Sequence, residues 1–257
     1  MSSPTIWSAG RYDAVGERIA HIADEVVDAV GRRRPLPDAA VVDLACGTGS
    51  AAVAAAARGA RVTGVDITPE LLAVAGRRSG RVMWTVGDAA DTGLPPGSFD
   101  AAVSNMGIIF VEPARQVAEI VRLLKPNGVL AFSSWVRGAA NPLFDPVVAV
   151  LGPPPATGFT PDQWGDAAIV ADRLAPHFDD IEMQRGEHLW QFGSLAAAMH
   201  WLREESPTHV ATFRRAGDAR QELAAAFEAA LLPYTDPSGA VALTSDYVVV
   251  SASYRAS

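Results

Sequence analysis

A short apolar run that meets two glycines and passes straight into a helix constrains this chain more than any other feature. Ala40-Val41-Val42-Asp43-Leu44 reads as a strand, Gly47 and Gly49 punctuate the loop after it, and an Ala-rich helix is expected from about Ser50 to Arg58. Glycines at such a turn let the backbone bend sharply and approach a ligand, at the carboxyl edge of a parallel sheet where α/β ligands collect. The loop alone leaves the ligand open. Gly47-Thr48-Gly49-Ser50-Ala51-Ala52 also satisfies the dinucleotide pattern of a nicotinamide or flavin enzyme.

The alternation continues down the chain. Strands are expected at 61 to 66, 81 to 86, 99 to 104 and 128 to 135, with helices at 69 to 78 and 113 to 124. Lys125-Pro126-Asn127-Gly128 reads as a stop and turn before the last of these strands. Upstream, Val15, Ile19, Ile22, Val26 and Val30 recur at helical spacing and predict one helix over 12 to 33. Downstream of Trp135 prolines interrupt the pattern. A helix near 165 to 175, a strand near 178 to 186, helices at 194 to 205 and about 217 to 232, and a β-rich tail from Tyr247 to Tyr254 complete the reading. Strands alternating with helices imply a doubly wound, mostly parallel sheet, here of seven strands with a helical insertion.

The segments expected are an N-terminal lid and helix over 1 to 37, a cofactor-binding core over 38 to 136, and a connecting helix and strand over 137 to 191. A helical insertion over 192 to 238 and a closing strand over 239 to 257 follow.

Composition narrows the partners. With 21 basic against 29 acidic residues the formal charge is -8, which lacks the basic footprint of a nucleic-acid binder. The one cysteine, Cys46, excludes an internal disulfide and a multi-cysteine metal site. No apolar run approaches the length that spans a bilayer, and the first residues lack a secretory pattern, so a cytoplasmic protein is expected.

Charge on the loop separates the cofactor readings. Asp66 stands 19 positions after Gly47, where a carboxylate suits the ribose hydroxyls of either cofactor. Asp43 would repel a pyrophosphate but suits a ligand carrying ammonium and sulfonium cations. Asp88, after the third strand, offers an acceptor for the exocyclic amine of an adenine.

Asp43-Leu44-Ala45-Cys46-Gly47-Thr48-Gly49, followed by VDIT, GDAADTGLPPGSFDAAVSN and LLKPNGVLAFSSW, resembles the S-adenosylmethionine (SAM) binding domain of class I methyltransferases, especially the broad group that includes quinone-biosynthesis C-methyltransferases. The likeness covers about residues 38 to 136. It implies SAM as cofactor, with Asp43, Ala45, Gly47 and Gly49 along its methionine part, Asp66 and Ile67 at ribose and adenine, and Asp88 and Ala89 at adenine. Asn105 is placed beside the fourth strand. Trp7-Ser8-Ala9-Gly10-Arg11-Tyr12 resembles the entry segment of such enzymes, with Tyr12 toward the cofactor. The family's fuller pattern has glycine where Ala45 stands.

The acceptor is expected to be a small, largely apolar molecule facing Trp135, Trp7 and Trp201, with the 192 to 238 insertion and the N-terminal segment as roof. His200, one turn before Glu204, is the candidate base for a hydroxyl acceptor. His21, His177, His188 and His209 read as structural or exposed, and Cys46 as a space-filler. A catalytically inactive SAM-binding module and an NAD(P)-dependent oxidoreductase are the alternative readings.

Overall fold

The computed structural model describes residues 6 to 153 and 158 to 255. Seven strands form one sheet: β1 Ala40–Leu44, β2 Arg61–Asp66, β3 Met83–Val86, β4 Phe99–Asn105, β5 Leu124–Trp135, β6 Phe178–Phe192 and β7 Val241–Tyr254. Their order is β3-β2-β1-β4-β5-β7-β6. β1 to β5 run parallel, and β7 pairs antiparallel with β5. The order reverses between β1 and β4, so the crevice at their carboxyl ends is the switch point where such sheets hold ligands.

The helices are α1 Tyr12–Arg18, α2 Ala20–Arg33, α3 Ser50–Ala57, α4 Pro69–Arg78, α5 Pro113–Leu123, α6 Asp145–Leu151, α7 Ala167–Leu174, α8 Leu195–His200, α9 Pro207–Arg215 and α10 Arg220–Leu231. Two compact units emerge. One comprises Gly16–Val136, Phe159–Gly186 and Tyr247–Ser257; the other Met1–Val15, Arg137–Gly158 and Glu187–Asp246.

In the sheet unit, α2 packs on β4, β5 and α3. Its buried stripe of Ile22, Ala23, Val26, Val27 and Val30 meets the sheet, and Arg33 near its far end donates to Ser251 Oγ and Ser253 Oγ on β7, each at 3.0 Å. Successive strand residues face opposite ways. Phe132 therefore points to the other face, where its ring meets Trp164 edge-on at 5.2 Å. Both faces are covered, which is why β1 and β4 are buried almost throughout rather than in alternation.

Glycine sets how closely β2 and β3 pack on the loop. A Cβ on Gly64 would lie 2.5 Å from the ring of Trp84 and 3.1 Å from Cys46 Sγ. Trp84 is fixed there by its indole N–H, which donates to Ser79 O at 3.2 Å. Gly64→Ala should therefore cost about 1 to 3 kcal/mol through overpacking. Chemical denaturation measures it, and an unchanged midpoint would show that the indole swings away freely.

The helical unit is built around aromatics. Trp201 is buried between Trp190, Phe192 and His209, at ring separations of 5.2, 5.5 and 5.7 Å. His209 Nε2 faces the Leu143 carbonyl at 2.7 Å, which can only accept, so Nε2 carries the proton and Nδ1 accepts from Ser206 Oγ at 2.6 Å. Burial pushes this imidazole down to about 4. Gly10, at φ +72°, lets the N-terminal segment lie on the carbonyl of Glu205, to which the Arg11 N–H donates at 2.8 Å.

Four expectations need correction. The helix over 12 to 33 is two helices, broken at Ile19, whose φ and ψ of -101° and 12° leave the helical run. The Lys125 to Gly128 turn is an irregularity inside β5: Phe99 pairs with Leu124 and Ala101 with Val129, and Asn127 takes φ +61° to absorb the extra residues. The strand expected to end at 186 runs on to Phe192. The helix over 194 to 205 is α8 followed by a π-turn, Trp201–Glu205, closed by the Ser206 N–H on Trp201 O at 2.9 Å.

Candidate functional site

The site grows from the β1–α3 turn. Ala45, Gly47 and Gly49 have φ of +52°, +55° and +82°. Ala45 thus holds a left-handed conformation that glycine adopts without strain, which accounts for the family's preference at that place. Gly49 has a second reason to be glycine: a Cβ there would lie 2.3 Å from the Trp84 ring.

Two acidic side chains organise this turn. Asp43, 1% exposed, accepts the Ala52 N–H on Oδ2 at 2.8 Å and so ties β1 to the first turn of α3. Its Oδ1 is buried with no hydrogen-bond partner among the described residues. Asp66 accepts Gly47 N–H on Oδ2 and Thr68 N–H on Oδ1, both at 2.8 Å, so one carboxylate joins the glycine loop to the start of α4.

Burial pushes the Asp43 carboxyl up to about 8; the Ala52 N–H opposes the rise and the Asp66 charge adds to it. Asp66 is raised too, by burial against the bonds from Thr68 and Gly47. Cys46 is buried beside them, and burial, then Asp43 and Asp66, hold its thiol far above the ordinary range. It fills space and cannot act as a thiolate.

Farther out on the same side of the switch point, beyond β3, Asp88 is 42% exposed, with Oδ1 accepting the Ala90 N–H at 2.9 Å and Oδ2 3.3 Å from Arg115. Ala89 is buried, its carbonyl bound by Gln116 Nε2 at 3.1 Å. Ile67 follows Asp66 with 53% of its surface exposed, an apolar wall at the strand end. Asn105 closes β4 with its side chain engaged by protein: Oδ1 accepts from Ser133 Oγ at 2.7 Å and Nδ2 donates to Ile19 O at 3.3 Å. Ser104 Oγ donates to Leu44 O at 2.7 Å, locking the ends of β1 and β4 together.

The structure thus brings Asp43, Ala45, Gly47, Gly49 and Asp66 into one turn and sets Ile67, Asp88, Ala89 and Asn105 at neighbouring strand ends. Trp84, Arg115, Gln116 and Ser133 were not singled out from sequence. Trp84 alone left a signal, as a large ring on a strand beside two glycine-bearing segments.

The acceptor-side residues divide between the units. Trp135 ends β5, half-buried, in the sheet unit. Trp7 lies half-buried in the short turn Ile6–Ser8, and Trp201 is core of the helical unit. The Tyr12 side chain and residues 1 to 5 lie outside the described residues. His200 does not pair with Glu204: its Nε2 stands 3.9 Å from Glu205 Oε1, because the π-turn brings i+5 rather than i+4 under it, and the ring is 65% exposed.

The residues fit SAM. A buried carboxylate with an unpartnered oxygen at a glycine turn suits an ammonium, whereas a pyrophosphate would meet Asp43 and Asp66 together. Comparison with known proteins agrees. Residues 42 to 132 match a family described as a methyltransferase domain. The malonyl-[acyl-carrier protein] O-methyltransferase of Serratia marcescens is 30% identical over 156 residues, 60% of each chain. The nocamycin O-methyltransferase of Saccharothrix syringae is 36% identical over 138 residues, 50% of this chain and 48% of that one. A solved structure from Anaeromyxobacter dehalogenans, described as a candidate type II methyltransferase, superposes with a TM-score of 0.58 at 25% identity, over 90% of this chain and 94% of its own. This sheet order and this turn are those of the class I SAM-dependent methyltransferase fold, and residues 42 to 132 of the chain match its methyltransferase domain.

Proposed function

We propose that the protein methylates an oxygen of a small, largely apolar molecule. The buried Asp43 with its unpartnered oxygen carries the cofactor half of this reading. The acceptor half rests on two relatives that are both O-methyltransferases by name, and on the acidic charge of -8, which disfavours nucleic acid. No described helix is long and apolar enough to cross a membrane.

When bound, SAM supplies a methyl group already activated by its sulfonium charge. Asp43 would then hold the ammonium, Asp66 the ribose hydroxyls, and Asp88 with Ile67 and Ala89 the adenine. The chain's own work is to fix the acceptor in line with the methyl group, keep water out and receive the acceptor's proton. Trp135, at the ligand edge of the sheet, offers a flat apolar surface for the first of these tasks.

Titration calorimetry with S-adenosylhomocysteine and NADH, followed by product formation from SAM with phenols, carboxylic acids and amines, tests the reading. Binding of the first ligand only, and turnover confined to oxygen acceptors, are the expected results. Turnover with amines alone would overturn the choice of oxygen, and binding of NADH alone would overturn the assignment of the cofactor site.

A further inference from the structure

A second cluster of chemistry-bearing side chains stands at the same sheet edge, on the face that α2 covers. Its frame is the β5–β7 register, which sets Tyr247 directly opposite Trp135 and Val249 opposite Ser133. Trp135, Ser133 and Tyr247 therefore share a face. The first turn of α2 reaches this edge too, because Asn105, the last residue of β4, holds the Ile19 carbonyl with its amide. His21 and Glu25 lie four apart on α2, hence on one side of it. The Tyr247 hydroxyl donates to Glu25 Oε1 at 2.7 Å, and the His21 ring stands edge-on to the Tyr247 ring at 6.3 Å. Gly186 makes room for the phenol, since a Cβ there would lie 2.3 Å from it.

The three groups differ in what they can do. Tyr247 is buried, and burial with the neighbouring Glu25 raises its hydroxyl far above the neutral range, so it stays a donor. Glu25 is occupied by that hydroxyl. His21 is exposed, and an imidazole is a side chain that can take a proton from a bound hydroxyl and pass it to water. Its charged neighbours along the chain are Glu17 and Arg18 on α1 and Asp24 and Glu25 on α2, and the neutral phenol of Tyr247 on β7 stands against its ring. Asp24 is paired with Arg58 and Glu17 with Arg78, each at 3.0 Å.

We propose that His21 is the general base for a hydroxyl acceptor, with Tyr247 and Glu25 as its positioning residues. The inference rests on the oxygen reading above and narrows it from any oxygen to a hydroxyl. The hydroxyl proton passes to an imidazole nitrogen as the oxygen bonds the methyl carbon. The carbon–sulfur bond breaks with its electron pair left on sulfur, and His21 then releases the proton to solvent through its exposed side.

The test compares phenols with carboxylic acids, which are already ionised at neutral pH and need no base. In the full chain, His21→Ala should lower turnover of the phenol that wild type uses best by about 100-fold, change any carboxylate turnover by less than about threefold, and leave S-adenosylhomocysteine affinity unchanged by calorimetry. Added imidazole should restore part of the phenol rate. Tyr247→Phe should shift the pH profile of that rate, and His21→Ala should flatten it. Turnover by wild type of carboxylic acids but no phenol would overturn the hydroxyl assignment while sparing the oxygen reading. Full phenol activity in His21→Ala, or loss in His200→Ala alone, would move the base elsewhere.

Discussion

The affinity for SAM should rise by up to about 100-fold between pH 6 and pH 8, and the melting temperature of the free protein should fall over the upper part of the same interval. Asp43 links the two effects. Its carboxyl titrates near 8 in the folded chain against an ordinary value of 3.8. The folded state therefore binds a proton that the unfolded state has lost, and the stability this proton contributes is present below about 4 and disappears as the pH rises through 8.

His209 opposes it over part of the range. Its folded value of about 4 lies below the ordinary 6.5, so its contribution grows with pH between those values. The two slopes offset each other up to about pH 6.5, and Asp43 dominates from there to about 8. One proton over that span is worth about 2 kcal/mol, or roughly 4 to 8 °C in a chain of this size. Asp66, also raised, acts in the same direction as Asp43. Asp100 and Glu119, where the effect of burial is outweighed by hydrogen bonds and then ion pairs that lower the carboxyls, act only in the acid range, where protonation removes their contribution.

An ammonium beside Asp43 reverses the preference and favours the carboxylate. Binding should then release a proton, seen as a buffer-dependent heat in calorimetry, and tighten about tenfold per pH unit at most. S-adenosylhomocysteine, which keeps the ammonium, should flatten the stability curve above pH 6.5. Asp43→Asn should remove both the slope and the proton release. A wild-type affinity independent of pH, with no proton released, would mean that the carboxylate stays protonated in the complex and that the ammonium lies elsewhere.

Much of this frame was legible because strong local signals agreed with the global fold. β2 and α4 fall within their expected limits, since Asp66, Pro69 and the basic end of α4 mark boundaries chemically. The break at Ile19 was hidden: the apolar period from Val15 through Ile22 to Val30 is kept by two short helices as well as by one long one. The π-turn was hidden for a similar reason. Inserting one residue leaves Met199 and Leu202 buried while it moves the partner of His200 from Glu204 to Glu205. Periodicity reports which face is buried, not which pairs meet across a turn. The β1–α3 turn proposed for the cofactor was visible because glycines and carboxylates fall at fixed offsets within one unit. The His21, Glu25 and Tyr247 cluster could not, because it joins residues more than 220 positions apart through the register of β5 and β7.

Asp66→Ala should damage both halves of the cofactor site at once. The carboxylate accepts two backbone N–H groups, from Gly47 and Thr68, and Thr68 is fully buried. Removing both acceptors leaves these donors to find water or go without, at about 1 to 2 kcal/mol each, so the free protein should lose about 2 to 4 kcal/mol. SAM affinity should fall by a further 10- to 100-fold, from the lost ribose contacts and a looser Gly47 turn. Asp66→Asn should do little better, because an amide can accept at only one of its two positions and turns a donor toward the other N–H. The charge matters separately: with Asp66 neutral or absent, one cause of the raised Asp43 value is gone, and the pH dependence of SAM binding should move to lower pH. Calorimetry and thermal melts across pH read all three quantities from the same variants. An Asp66→Ala protein that keeps wild-type stability would show that water replaces the carboxylate at the turn. One that keeps wild-type affinity would place the ribose outside the reach of β2, and the adenine wall at Ile67 would have to move with it.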